Sequence, residues 1–233
     1  MSKIIYLAAD PMCSWCWGFA PEVHKLRAAA AGRAEVRVIV GGLRPGTVEV
    51  MDDAMKGYIR HHWEEVAAKT GQPFTYGLFD RDDFIYDTEP GCRAVVTARG
   101  LRPGADLDML DALHAAFYAE NRDLTDTDVL ADVAEGIGLD RQGFLDALTS
   151  PALFEQTQKD FHLAREMGVT GFPTVVCAED GQFAFLTLGY RPYDAFAPLL
   201  DEWLGADADG GADKETAPTE EEGAVCIPGD RSC

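Results

Sequence analysis

Apolar positions divide the chain into stretches of different period. Ile4 to Ala9 is a continuous apolar run inside a strand expected over 3–9. Residues 13–31 follow with a helical period: Trp17, Ala20, Val23, His24 and Leu26 lie near one face, and Ala28 to Ala31 favour helix. Gly32 is a natural stop. Residues 35–40 are rich in Val and Ile and read as a second strand, closed by Gly41 and Gly42. A strand–helix–strand unit of this size favours parallel strands and a right-handed crossover.

The next hundred residues carry helical stripes. Met55, Ile59, Trp63 and Val66 share a face. Thr88 is placed to cap a helix with Pro90 in its first turn. Leu110, Leu113, His114, Phe117 and Tyr118 form a stripe opened by Asp106. Val129, Leu130 and Val133 form another, opened by Thr125 or Asp126. Phe144, Leu145 and Leu148 form a third, ended by Ser150 and Pro151. Phe154, Thr157, Phe161 and Ala164 predict a helix that stops at Gly168. Strands return at Thr174 to Ala178 and Phe183 to Leu188, around an Asp180–Gly181 turn suited to type I′ geometry. A last helix starts near Pro192 and buries Phe196, Leu199, Leu200 and Trp203.

From Ala206 the pattern ends. Residues 206–233 hold eight acidic and two basic residues and little apolar surface before Val225, so a flexible acidic tail is expected. The expected parts are therefore 1–48, a helical insertion at 49–160, a return at 161–205 and the tail at 206–233.

Composition narrows the function. The 233 residues are 47% hydrophobic, enough for a core, and carry a net charge of −20. Nucleic acid is a poor partner for that charge. No apolar run approaches the roughly 18 residues of a membrane span. The first apolar run is shorter than a secretory h-region, so no membrane partner and a cytoplasmic location are expected.

Six cysteines do not make a disulfide scaffold. Their spacing matters more. Cys13 and Cys16 enclose Ser14 and Trp15 in a C-x-x-C motif where the first strand gives way to the first helix. Unpaired N–H groups and partial positive charge at a helix start favour a thiolate, and this setting lowers thiol pKa. Cys13 is expected to be the exposed nucleophile. Cys16, one turn on, can resolve a mixed disulfide on Cys13. Ser14 and Trp15 can tune it. Zinc needs more ligands than the motif supplies, so no metal is expected. Cys226 and Cys233 enclose the turn-forming residues Pro228, Gly229 and Asp230 and can close a small disulfide. They read either as a redox relay to Cys13 and Cys16 or as an inert tail.

The motif Asp10-Pro-Met-Cys13-Ser14-Trp15-Cys16, followed much later by Gly171-Phe172-Pro173-Thr174, resembles the DsbA family of thioredoxin-fold oxidoreductases, and its cytosolic FrnE-like branch most. The segments beginning at Tyr86 and Ala116 also look like that branch. The resemblance covers residues 3–204. It implies an α/β thioredoxin-like fold with an inserted all-helical domain. Cys13 then matches the nucleophile, Cys16 the resolving cysteine, and Pro173 a cis-proline facing the active-site disulfide. Phe172 would offer its main chain to an extended substrate. Leu7 stands where thioredoxin has a buried carboxylate, and Asp10 is the nearer acid.

The expected activity is thiol–disulfide exchange or isomerisation on protein or peptide disulfides, with no bound cofactor and with glutathione as a conceivable co-substrate. Its rivals are a kappa-type glutathione transferase or isomerase and a thioredoxin-fold chaperone. Trp15, Trp17 and Phe19 could form an apolar docking patch, or pack under the helix. His24 could approach the site along the first helix. His61 and His62 read as solvated, His114 as packed core, and Cys92 and Cys177 as buried small hydrophobes.

Overall fold

A computed structural model of the chain describes residues 3–205 and 224–228. The first strand β1 (Ile4–Ala9) and the second β2 (Glu35–Val40) are parallel and joined by helix α1 (Ser14–Ala30). Five helices follow: α2 (Asp53–Thr70), α3 (Glu89–Leu101), α4 (Ala105–His114), α5 (Thr127–Gly136) and α6 (Arg141–Leu148). Helix α7 (Pro151–Glu166) leads back to β3 (Thr174–Glu179), β4 (Gln182–Leu188) and α8 (Tyr193–Gly205). The sheet order is β2-β1-β3-β4, with β3 antiparallel to both neighbours. This is the expected thioredoxin-like architecture with a helical block between its halves.

Local chemistry explains most boundaries. Asp180 and Gly181 both have positive φ, 51° and 80°, as a type I′ turn demands. Asp52, Asp126, Asp140 and Ser150 each cap a helix start with a side-chain oxygen. The helical block packs around Trp63, whose ring lies 4.8–5.7 Å from Tyr118, Phe79, Phe74 and Phe117.

The edge strand β2 is closed by carboxylates. Val38 N donates to Asp106 (2.8 Å) and Val40 N to Asp160 (3.4 Å), which also holds Arg99 (2.8 Å). A strand edge is thereby denied to other chains.

Several expectations change. Thr88 makes no cap bond. Its hydroxyl accepts from Arg44 N (3.1 Å), because the loop after β2 runs beside it, and Asp87 accepts from Glu89 N instead. Asp106 is spent on β2, and Gly104 caps α4. The stripe through Phe117 and Tyr118 continues past α4 as a π-helical stretch, Ala115–Ala119. Phe154 and Leu199 lie outside their buried faces, exposed by 46% and 45%. Within the tail, Ala224 to Pro228 is placed and paired rather than flexible, because its main chain finds partners on the globular part. Cys233 lies outside the described residues.

Candidate active site

The site begins with a sharp exit from β1. Cys13 is the N-cap of α1: its backbone is extended, its carbonyl accepts from Cys16 N (3.0 Å) and Trp17 N (3.1 Å), and its Sγ also accepts from Cys16 N (3.3 Å). A sulfur in this position faces the free N–H groups of the first helical turn. Cys13 and Cys16 are both free thiols. Burial, and then the neighbouring Cys13 sulfur, push the Cys16 thiol well above its ordinary range. That suits a resolving cysteine, which stays protonated until a sulfur bonded to Cys13 comes within reach.

The loop between β1 and α1 is organised by Asp10, which is fully buried. Its carboxylate accepts from Leu43 N (2.7 Å), Met12 N (2.9 Å) and the Cys92 thiol (3.3 Å). Burial raises the Asp10 pKa, and those bonds, with one from Thr88, draw it back. The Asp10 carbonyl accepts from Cys13 N (3.0 Å). It also lies 3.2 Å from His114 Nε2. That contact makes Nε2 the protonated nitrogen and leaves Nδ1 an acceptor, with no partner among the described residues. Burial lowers the His114 pKa to about 4. Tyr86 Oη donates to Met12 O (2.6 Å), and burial raises its pKa. Leu7, Cys16, His114 and Pro173 line a cavity of about 10 Å³, room for about one water.

The opposite wall is the loop before β3. The Phe172–Pro173 peptide is cis. Phe172 O lies 3.8 Å from Cys13 Sγ, within reach of the thiol as donor. The Phe172 ring fills space left by Gly41, where any Cβ would collide with it. The two glycines after β2 therefore do more than end a strand: Gly41 admits the ring that seats this loop.

Phe172 is not open to solvent. Its N–H donates to Cys226 O (2.7 Å) and its carbonyl accepts from Cys226 N (2.7 Å). Tyr190 N donates to Ala224 O (2.8 Å). Cys226 is disulfide-bonded. Cys13 has no exposed surface, contrary to the exposed nucleophile expected. Trp15 is only 9% exposed and packs on Tyr190 (centroids 5.7 Å), so it offers no open docking patch. Trp17 packs beneath α1, stacked on Tyr118 with Nε1 donating to Pro73 O, and Phe19 is fully buried.

Comparison with known proteins fits this geometry. The DSBA-like thioredoxin domain matches residues 5–201. The chain belongs to that family. Among solved structures it is 33% identical to a provisionally assigned protein disulfide isomerase from Nitrosomonas europaea, covering 88% of this chain and 98% of that one with a TM-score of 0.82. The cytosolic disulfide reductase DsbM from Pseudomonas aeruginosa, also solved with GSH, is 26% identical, covering 87% and 95% with a TM-score of 0.67. The ClpXP adapter protein SpxH of Bacillus subtilis is 25% identical over 219 residues, 93% of this chain and 71% of that one.

The structure thus gathers Cys13, Ser14, Trp15, Cys16, Phe172, Pro173 and Cys226 in one place. Ser14 is buried with its hydroxyl unpartnered among the described residues. Four neighbours were not foreseen: Asp10 as the hub of the loop, Cys92 as its donor, His114 against its carbonyl, and Tyr190 beside Trp15. The segment beginning at Tyr86 was the available signal, since it supplies Tyr86, Thr88 and Cys92 to this loop. Cys92 is therefore more than a small hydrophobe, whereas Cys177 lies in β3 with only burial acting on it, its thiol pushed up to about 12. His24 is exposed and pairs with Asp111 (2.6 Å), and His61 and His62 pair with Glu65 on the surface of α2.

Proposed function

We propose that the protein exchanges disulfides with proteins or peptides, using Cys13 as nucleophile and Cys16 as resolving thiol. The observation that carries this is the placement of a reduced Cys13 at the N-cap of α1, facing the Phe172 carbonyl, with Cys16 one turn behind. A thiolate on Cys13 attacks a substrate disulfide and displaces one substrate sulfur, which leaves as a thiol. Cys16 then attacks Cys13 Sγ, closes the Cys13–Cys16 disulfide and releases the second substrate thiol. The Phe172 main chain holds an extended substrate by strand addition, which recognises backbone and so tolerates varied sequences.

We assign the net direction as reduction or isomerisation in a cytosol that keeps thiols reduced, in line with the similarity to DsbM. Glutathione is the reductant that would return the pair to thiols, and the GSH-bound DsbM structure supports that choice. No metal enters the scheme.

Insulin reduction with glutathione as electron source tests the reading. The Cys13→Ser variant should lose at least about a thousandfold in rate, because a hydroxyl at this position is not ionised near neutral pH. Retention of more than a few per cent of the rate would refute it. A holdase role, or an adapter role like that in the SpxH name, would survive the same substitution.

A further inference from the structure

Cys16 needs somewhere to send a proton. To attack Cys13 Sγ its thiol must ionise, although burial pushes its pKa well above the ordinary range. Cys16 is buried, so bulk water does not take the proton directly. What it meets instead is the cavity of about 10 Å³. The strand side of that cavity is apolar, built from Leu7 and Ala9. Helix α4 supplies polar lining in Asp111 and His114, three residues apart on one face.

Those two side chains differ in kind. Asp111 runs from cavity to surface. Its side chain is 28% exposed, and Oδ2 lies 2.6 Å from Nε2 of His24, an exposed residue of α1. Oδ1 has no partner among the described residues. His114 is fully enclosed: Nε2 donates to the Asp10 carbonyl, and Nδ1 is an acceptor without a partner among the described residues. The Asp10 side chain is no rival to Asp111. It does not line the cavity, and its carboxylate already accepts from Leu43, Met12, Cys92 and Thr88.

We propose that Asp111 is the proton acceptor for Cys16, reached through one water that the cavity holds between Cys16, Asp111 and His114. This rests on the exchange chemistry proposed above. The water accepts from the Cys16 thiol and donates to Asp111 Oδ1 and His114 Nδ1, the three partners typical of a buried water. As Cys16 attacks the mixed disulfide, its proton passes to the water and a proton of the water passes to Asp111. The Cys13–Cys16 bond forms and the bond from Cys13 to the substrate breaks. The substrate sulfur leaves with the electron pair and takes a proton from solvent, so the cysteine pair is oxidised and the substrate reduced. Asp111 then gives its proton to solvent at its exposed edge. His114 is a positioning residue that acts through the water. Burial, which lowers its pKa to about 4, keeps it neutral.

The groups facing Asp111 set its working range. Burial raises its pKa above that of an ordinary carboxylate, which makes it a stronger base. His24 and Arg27 on α1 oppose the rise, and Asp108 on α4 adds to it.

The test uses the full chain with Cys13 and Cys16 reduced, mixed with one equivalent of dithiobis(nitrobenzoate). Two nitrothiobenzoate ions leave in sequence. The first reports attack by Cys13 and the second attack by Cys16 on the mixed disulfide. Asp111→Asn should slow the second release about a hundredfold at neutral pH and leave the first within about twofold. In wild type the second rate should rise with pH as Asp111 ionises and then level off. In Asp111→Asn it should climb about tenfold per pH unit, with hydroxide as the base. A variant whose second release matches wild type overturns the proposal. So does a slower release that keeps the wild-type pH profile, the mark of a merely structural change. His24→Ala, at an exposed position, serves should Asp111→Asn not fold. It removes a bond that lowers the Asp111 pKa, so the rising limb should move to higher pH, and an unmoved limb overturns the proposal. The same traces separate this from the parent reading. A second release that is present in wild type and lost in Cys16→Ser upholds the exchange chemistry whatever Asp111→Asn does. A wild type without it removes both.

Discussion

The two sides of the site are held by different physics. The α1 side stands on polar groups: one buried carboxylate and its carbonyl hold Met12, Leu43, Cys92, Cys13 and His114. The wall carrying Phe172 stands on shape and pairing: a ring seated over Gly41, and a main chain that exchanges two hydrogen bonds with Cys226. The first arrangement fixes Cys13, the proposed nucleophile, through two groups whose pKa values are shifted by burial. The second is indifferent to pH and leaves an edge that another backbone can take over. A disulfide exchanger needs both, because the attacking sulfur must stay put while its substrates vary.

The largest effect should come from the hub. Asp10→Ala leaves two buried N–H groups, the Cys92 thiol and the Thr88 hydroxyl without this acceptor, and stranded buried donors cost about 1–3 kcal/mol each. Relief of the burial cost that raises the Asp10 pKa offsets part of this. A net loss of about 4 kcal/mol is expected from urea unfolding at neutral pH. A loss below about 1 kcal/mol would mean that the α1 side does not depend on this carboxylate.

His114 should give the next effect, visible as a pH dependence. Its folded pKa of about 4 lies below the ordinary 6.5. The unfolded chain therefore binds the proton more tightly, so this contribution to stability is present above pH 6.5 and is lost as pH falls towards 4. Its full size is on the order of 3 kcal/mol. Asp10 acts with the opposite sign: its raised pKa gives a contribution that is lost as pH rises through that value. His114→Gln isolates the histidine, since glutamine can still donate to the Asp10 carbonyl and does not titrate. Plots of urea midpoint against pH should be flatter for the variant between pH 6.5 and 4. Parallel plots would show that His114 is not held neutral.

The same division decides what could be read from the sequence. Cys13 and Cys16 were legible because strand, motif and helix start are contiguous, and the helix itself positions both sulfurs. The hairpin at Asp180 and Gly181 was legible for the same reason. Asp10 was seen only as the acid nearest the motif and not as a hub, because its partners come from Leu43 and Cys92, distant in sequence and without a periodic signature. Thr88 looked like a cap, and a hydroxyl at a helix start does not say which backbone will reach it first. Pro173 announced the wall through its proline and its position before β3. Cys226 was noticed as a cysteine, but main-chain pairing leaves no mark on side-chain identity. The strand-like stretch Val225 to Ile227 was too short to stand out against an acidic tail. Local geometry is written in residue types, whereas long-range main-chain pairing is written in the fold.

The smallest expected effect sharpens the contrast from the wall's side. Gly41→Ala places a methyl group where the Phe172 ring now lies. The backbone tolerates alanine there, since Gly41 is not among the residues with positive φ, so the cost comes from overpacking alone. About 2 kcal/mol of destabilisation is expected, because the ring must tilt or the loop must lift. Lifting the loop moves the carbonyl shared by Cys13 and Cys226, so iodoacetamide should reach Cys13 severalfold faster than in wild type. The hydrogen bonds of the Asp10 hub go neither to Gly41 nor to Phe172, so the midpoint-against-pH plot of this variant should keep the wild-type shape while shifting down as a whole. If the shape changes as well, the ring and the hub are coupled, and the two sides of the site cannot be treated as separate supports. If Cys13 stays protected despite the destabilisation, the pairing of Cys226 with Phe172 is strong enough to follow the loop as it moves.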